Sequence, residues 1–263
     1  AQYFRAAGLE DFSALGFTSP GREDGLTGHG WSSSFGGGYR RGWLGKFMDE
    51  KFRVGVNYSS RVWMDNFDRY TGLFAEQGDF DIPENYTVGL AYDLIPALTV
   101  AFDVQRINWH DVRSMGNPGP DASDPSAFFS LCPGEDKTPC LLGGPLGLGF
   151  GWENQTVYKL GVNLSLNEKW DLRAGYNYGK SPIQDEEVLF NMLAPATPEH
   201  HLTIGAGWAM AEHWQLDMNF MYAYLNTIKG PTAFGQGGAI VEGDNAAIAM
   251  KQYSLGATIA YKF

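Results

Sequence analysis

Two short pairs, His110-Asp111 and His200-His201, and the cysteines Cys132 and Cys140 are the residues whose types and spacing could do chemistry. A histidine beside an acid or a second histidine can ligate a metal or relay a proton. Neither pair has further ligands at workable spacing, so both read as solvated or interfacial polar residues, and no metal or other cofactor is expected. The cysteines stand eight positions apart in a Gly/Pro-rich segment with no histidine at metal spacing. They read as a disulfide made in an oxidising compartment, with two free thiols as the alternative. No nucleophile motif, phosphate loop or nucleotide fingerprint occurs, and the expectation is that the chain is not an enzyme.

Two apolar clusters offer a different chemistry, the holding of a hydrophobic small molecule. One is Leu189, Phe190, Met192 and Leu193, preceded by Val188; the other is Leu146, Leu148 and Phe150, with Leu141 and Leu142 before them. Either cluster could bind a greasy ligand, or could pack loops onto one another. Six charged residues, Arg40, Arg53, Asp103, Asp171, Arg173 and Asp217, form a third set. They could hold a carboxylate headgroup, line an aqueous path, or pair across strands, and the presence of both signs favours pairing. The formal charge of -11 argues against a nucleic-acid partner, which needs a basic face, and none is expected.

The elements that must position these residues are strands. From Tyr253 to Phe263 every second residue is apolar or aromatic, and the intervening ones are small or polar. The same alternation recurs over roughly 29–44, 52–58, 86–92, 98–105, 158–166, 170–178, 202–208 and 214–224. Residues 1–27 read as an outer loop segment with one short helix, and 59–84, 110–152, 180–198 and 226–249 read as long loops. The links between the other strands are only a few residues long. This alternation of short and long links matches periplasmic turns and extracellular loops, and the strand charges fall mostly on the inward parity. Arg41 and Arg106 break that parity near strand ends, where they could reach lipid headgroups. No apolar run is long enough for a helical membrane span, whereas a strand needs only about 10 residues to cross. The expected fold is therefore all-β, an antiparallel transmembrane β-barrel in the outer membrane of a Gram-negative bacterium.

Nine strands is an odd number. Single-chain bacterial barrels have even counts, so the chain reads as the C-terminal part of a larger barrel, closed by a missing N-terminal segment or a second chain; a tenth strand within 1–27 is the alternative. Its start, Ala1-Gln2-Tyr3-Phe4, lacks an initiator Met and a signal peptide, consistent with a processed or truncated form.

The stretches Pro83 to Tyr92, Asp103 to Trp109, Leu172 to Ile183 and Pro198 to Thr203, together with the terminal Tyr261-Lys262-Phe263, resemble the FadL-type outer-membrane transporters of long-chain fatty acids and aromatic hydrocarbons. The resemblance implies a fourteen-stranded barrel, of which these would be the sixth to fourteenth strands. It also implies a lumenal plug and a lateral gate, both expected to lie outside these 263 residues. Passive transport of hydrophobic small molecules is the expected function; a structural or interaction barrel, or a general aqueous porin, is the alternative. Expected partners are outer-membrane lipid, a hydrophobic ligand and the barrel-assembly machinery, which would read Tyr261 and Phe263 as a terminal signal.

Overall fold

The computed structural model describes residues 1–8, 18, 21–119, 134–136, 138–231 and 246–261. Its strands, in chain order, are β1 Gln2–Phe4, β2 Ser32–Ser34, β3 Gly36–Gly37, β4 Arg40–Phe47, β5 Phe52–Ser59, β6 Trp63–Met64, β7 Asn85–Ile95, β8 Leu98–Ile107, β9 Gln155–Asn167, β10 Trp170–Gly179, β11 His200–Ala211, β12 Trp214–Gly230 and β13 Ala246–Tyr261. Nine of them form one antiparallel sheet in the order β13-β12-β11-β10-β9-β8-β7-β5-β4. Each strand pairs with its sequence neighbour in the sheet, so the topology is a meander with β4 and β13 as edges.

The alternation in the sequence becomes two chemically distinct faces, because side chains opposite each other in an antiparallel ladder share a face. One register row reads Val54, Leu90, Phe102, Leu160, Tyr176, Leu202, Tyr222 and Tyr253 across eight strands. The row one residue away on the opposite face includes Ala91, Ala101, Gly161, Gly175 and Thr203. On the apolar face Leu255 is 83% exposed and Ile259 64%, which water would not tolerate over so broad an area and lipid would.

Aromatic residues bracket that face. Near the short turns lie Phe47 against Phe52 at 6.1 Å, Trp170 stacked on Trp208 at 5.4 Å and Trp214 against Tyr261 at 5.0 Å. Near the long loops lie Tyr39 against Tyr58 at 5.8 Å and Tyr222 against Tyr253 at 5.0 Å. Two such belts are what amphipathic rings form at the two membrane–water boundaries. Among the described residues no helix is long and apolar enough to cross a membrane.

Two expectations need correction. The segment from 29 to 44 is not one barrel strand: β2 pairs with β1, β3 pairs with β6, and only β4 joins the nine-stranded sheet. The run Gly36-Gly37-Gly38 allows the departure, because a Cβ on Gly36 would collide with the sulfur of Met64 and the carbonyl of Trp63. Among the described residues before 28, Phe4 of β1 packs on Tyr70 and the turn Glu23–Gly25 accepts the Gly72 N–H through the Gly25 carbonyl. The expected loop 226–249 is also too long. β12 and β13 continue as a pair through Ile228 and Ile248 to Gly230 and Ala246, after a register shift between Ala223 and Asn226. The 17 residues of β12 exceed the bilayer's need of roughly 10, so this hairpin stands above the rim.

Candidate functional site

The outer loops close over the long-loop end of the sheet through an aromatic cluster. Phe67, Tyr70, Leu73, Phe74 and Phe150 are its buried members, with Phe4, Phe80, Trp152 and Phe190 packed around them. Loop 60–84 positions its share through the turn Asp68–Tyr70, whose three-residue repeat brings Phe67, Tyr70 and Leu73 to one side. Phe4 meets Tyr70 edge-on at 4.8 Å and Phe74 at 5.0 Å, and Phe74 meets Phe80 at 4.8 Å. Phe150 and Phe190, from the two following loops, lie 5.2 Å apart. Each such pair contributes about 1 kcal/mol beyond its buried area, so the cluster fastens three loops and the N-terminal strand together.

Polar groups fix the geometry around the rings. Tyr70 donates its hydroxyl to the carbonyl of Gly30 at 2.5 Å and accepts the N–H of Ala6 at 3.1 Å. Asn191 is fully buried; it accepts the Trp152 Nε1–H at 2.6 Å and donates to the carbonyls of Phe150 at 2.6 Å and Glu187 at 2.8 Å. Arg61 joins loop 60–84 to the next by donating to the Asp111 carbonyl at 2.8 Å. Its Nε also lies 2.8 Å from Asp81 Oδ2 without pointing at it, so that contact is ionic rather than a hydrogen bond. Beside this pair, burial pushes the Asp79 carboxyl up to about 7, helped by the charge of Asp81, a hydrogen bond with it and the charge of Glu76, and opposed by Arg61.

Trp152 bridges to a second apolar cluster of Ile183, Val188, Ile228 and Ile248. The raised end of the β12–β13 hairpin is thus held by the loop between β10 and β11, and this burial is the reason the two strands extend past the membrane.

On the inward face the charges form short networks. Arg53 pairs with Asp93 at 2.5 Å, and Thr99 donates to the same carboxylate at 2.7 Å. Arg173 pairs with Asp217 at 2.9 Å across the intervening strand β11, while its Nε donates to Asn163 at 3.2 Å. The reach is possible because a Cβ on Gly207 would sit 2.8 Å from Asp217 Oδ1 and 3.3 Å from Arg173 Nη2. Arg40 donates to the Ser59 hydroxyl at 3.0 Å, and Asp171 accepts from Ser165 at 2.6 Å. Asp103 lies opposite Gly89 and Lys159, whose ammonium donates instead to Gln105 at 2.7 Å.

The model of the family "Outer membrane protein transport protein (OMPP1/FadL/TodX)" matches residues 20–263. The chain belongs to this outer-membrane family. Three solved structures show the likeness of fold. The Pseudomonas putida toluene transporter TodX is 17% identical, with a TM-score of 0.54 over 88% of this chain and 50% of that one. The Ralstonia pickettii toluene transporter TbuX is 16% identical, with a TM-score of 0.52 over 98% and 55%. A FadL homologue of Pseudomonas aeruginosa is 12% identical, with a TM-score of 0.52 over 94% and 57%. The chain thus spans about half the length of these relatives. No curated protein sequence matches it.

Within this family member, the residues singled out from sequence are only partly brought together. Phe150 and Phe190 meet, whereas Leu146, Met192 and Leu193 remain open at 44%, 55% and 46% exposure. Leu148 and Leu189 are half-buried, and Leu141, Leu142 and Val188 are buried. Cys140 ends the turn Thr138–Cys140 and is disulfide-bonded; Cys132 and Phe263 lie outside the described residues. The histidine pair at the start of β11 splits between faces: His200 contacts the Tyr176 hydroxyl at 2.5 Å on the apolar side, while His201 lies on the inward side opposite Asn177. Among the described residues no group of three or more His, Cys, Asp or Glu is placed to hold a metal. Phe4, Phe67, Tyr70 and Phe74 were not anticipated as site residues. The spacing of Phe67, Tyr70 and Phe74 at three and four residues was the available signal, masked by the polar residues between them.

Proposed function

We propose that the protein admits hydrophobic small molecules, long-chain fatty acids or hydrocarbons, through the outer membrane by passive diffusion, and that its task is transport rather than catalysis. The observation that carries this reading is the apolar surface of the outer loops, with Leu146, Met192 and Leu193 open to solvent in the same two loops whose Phe150 and Phe190 pack on each other. Toluene is the compound named for two of the solved relatives, and the apolar loop surface suits a ligand of that kind.

A chain of roughly 16 carbons, at up to about 0.8 kcal/mol per CH₂, would be held too tightly by one dry pocket. Partial sites in series serve transport better: an open rim for capture, then an inward wall whose Ala91, Ala101, Gly161 and Gly175 leave room for passage. In this reading the open edges β4 and β13 are joined by further strands, in keeping with the share of each relative that the chain spans. Tyr261 and Phe263 serve as the signal read by the barrel-assembly machinery.

The test is uptake of radiolabelled toluene and of a long-chain fatty acid by cells whose only hydrocarbon transporter is the full-length protein. Phe190→Asp is expected to cut initial uptake at least several-fold while leaving surface abundance unchanged. If binding and uptake both survive that substitution, the capture assignment is wrong. A large, steady current in planar bilayers would instead favour an aqueous porin.

A further inference from the structure

The two arginines that break the inward–outward rule fall on one register row. Arg41 on β4 pairs with Tyr58, Tyr58 with Tyr86, Tyr86 with Arg106 on β8, and Arg106 with Thr156. All five share the apolar, lipid-facing side, each near the long-loop end of its strand. The row directly beneath is Trp43, Val56, Val88, Val104 and Tyr158. Two guanidinium groups therefore stand at the upper edge of a hydrocarbon-facing wall, where the cost of a charge has fallen to about 1 kcal/mol or less and lipid headgroups are within reach.

Neither has a carboxylate partner among the described residues. Arg106 donates to the Thr156 hydroxyl at 2.9 Å, which leaves most of its five donors unused. The Arg41 guanidinium lies 5.4 Å from the centre of the Tyr39 ring, two residues nearer the outer rim. The acid on this face, Glu84, is already engaged by the Tyr58 hydroxyl at 2.8 Å and the Asn108 amide at 3.1 Å.

We propose that Arg41 and Arg106 each hold a phosphate group of an anionic lipid in the outer leaflet, whose acyl chains lie on the wall below. Guanidinium groups are suited to phosphate because they offer paired donors in one plane. Three strand spacings separate the two, roughly 14 Å, so each serves its own phosphate rather than sharing one. The apolar row beneath them selects a lipid over a free anion.

The test is native mass spectrometry of the full-length protein in neutral detergent, titrated with lipid A, with phosphatidylcholine or with inorganic phosphate. Wild type should bind lipid A, discriminate against phosphatidylcholine and lose affinity as salt rises. The double substitution Arg41→Gln, Arg106→Gln should weaken lipid A binding at least about tenfold, the loss expected for one charge-assisted contact. Lys51→Gln, in a turn at the opposite rim, should change nothing. Unchanged binding in the Gln pair, or equal binding of phosphatidylcholine, would overturn the proposal. Displacement of lipid A by millimolar inorganic phosphate would show a simple anion site and overturn the lipid assignment. Should the Gln pair fail to assemble, Arg41→Lys with Arg106→Lys decides: salt-sensitive lipid A binding supports the proposal, and salt-insensitive binding refutes it.

Discussion

Replacing Asn191 by alanine should release the outer loops without loosening the barrel. The side chain has no solvent exposure and makes three hydrogen bonds, one accepted from Trp152 and two donated to the carbonyls of Phe150 and Glu187. Alanine withdraws the Asn191 partner from one donor and two acceptors in a region closed to water. Each such group costs about 1–3 kcal/mol, so even the lower figure gives about 3 kcal/mol in total. That corresponds to roughly a 150-fold rise in local opening of the segments that carry Phe150 and Phe190. The ladders of the sheet do not pass through Asn191, so the cost stays local. Hydrogen exchange followed by mass spectrometry on the full-length protein reads both effects: lost protection around 148–154 and 183–194, unchanged protection in β9, β10 and β11. Because Phe190 would no longer be seated on Phe150, uptake should fall as well. A change of less than about threefold in loop protection, or an equal loss across the sheet, would refute the reasoning.

Acidity should act on the same loops through Asp79. Its carboxyl is raised to about 7 in the folded protein against an ordinary 3.8, so the folded state holds the proton more strongly. The stabilisation is complete below the ordinary value and is lost as pH rises to the folded value, so protection of loop 60–84 should fall between about pH 4 and pH 7 and level off above. Asp79→Asn should flatten that profile; persistence of the same slope would assign it to another group. Gly207→Val should place a methyl group against Asp217 and Arg173 and open their pair. Both partners are part-exposed, so the loss in thermal or urea stability should be under about 1 kcal/mol. A loss of several kcal/mol would mean that the backbone of β11, not the ion pair, needs the glycine.

The barrel strands were legible because their signal is local. A period of two in β7, for example, reports a lipid face and an inner face residue by residue, and neighbouring strands repeat it in register. The termini of β12 and β13 were not legible, since what extends them is contact of Ile228 and Ile248 with Ile183 and Val188 from a different loop. The same holds for β2 and β3: residues 32–37 alternate well enough for a strand, but β1 and β6 compete for their edges.

The sequence alone determined the class of fold, the membrane-facing side of the strands in the nine-stranded sheet and the identity of the loops that carry apolar residues. These follow from composition and periodicity, which a bilayer sorts one side chain at a time. Only the tertiary structure decided which charges pair, that Phe150 meets Phe190, and that Phe4 and the Phe67 to Phe74 turn complete the cluster. Those contacts join residues far apart in the chain, and their geometry depends on where the ends of the strands deliver each loop.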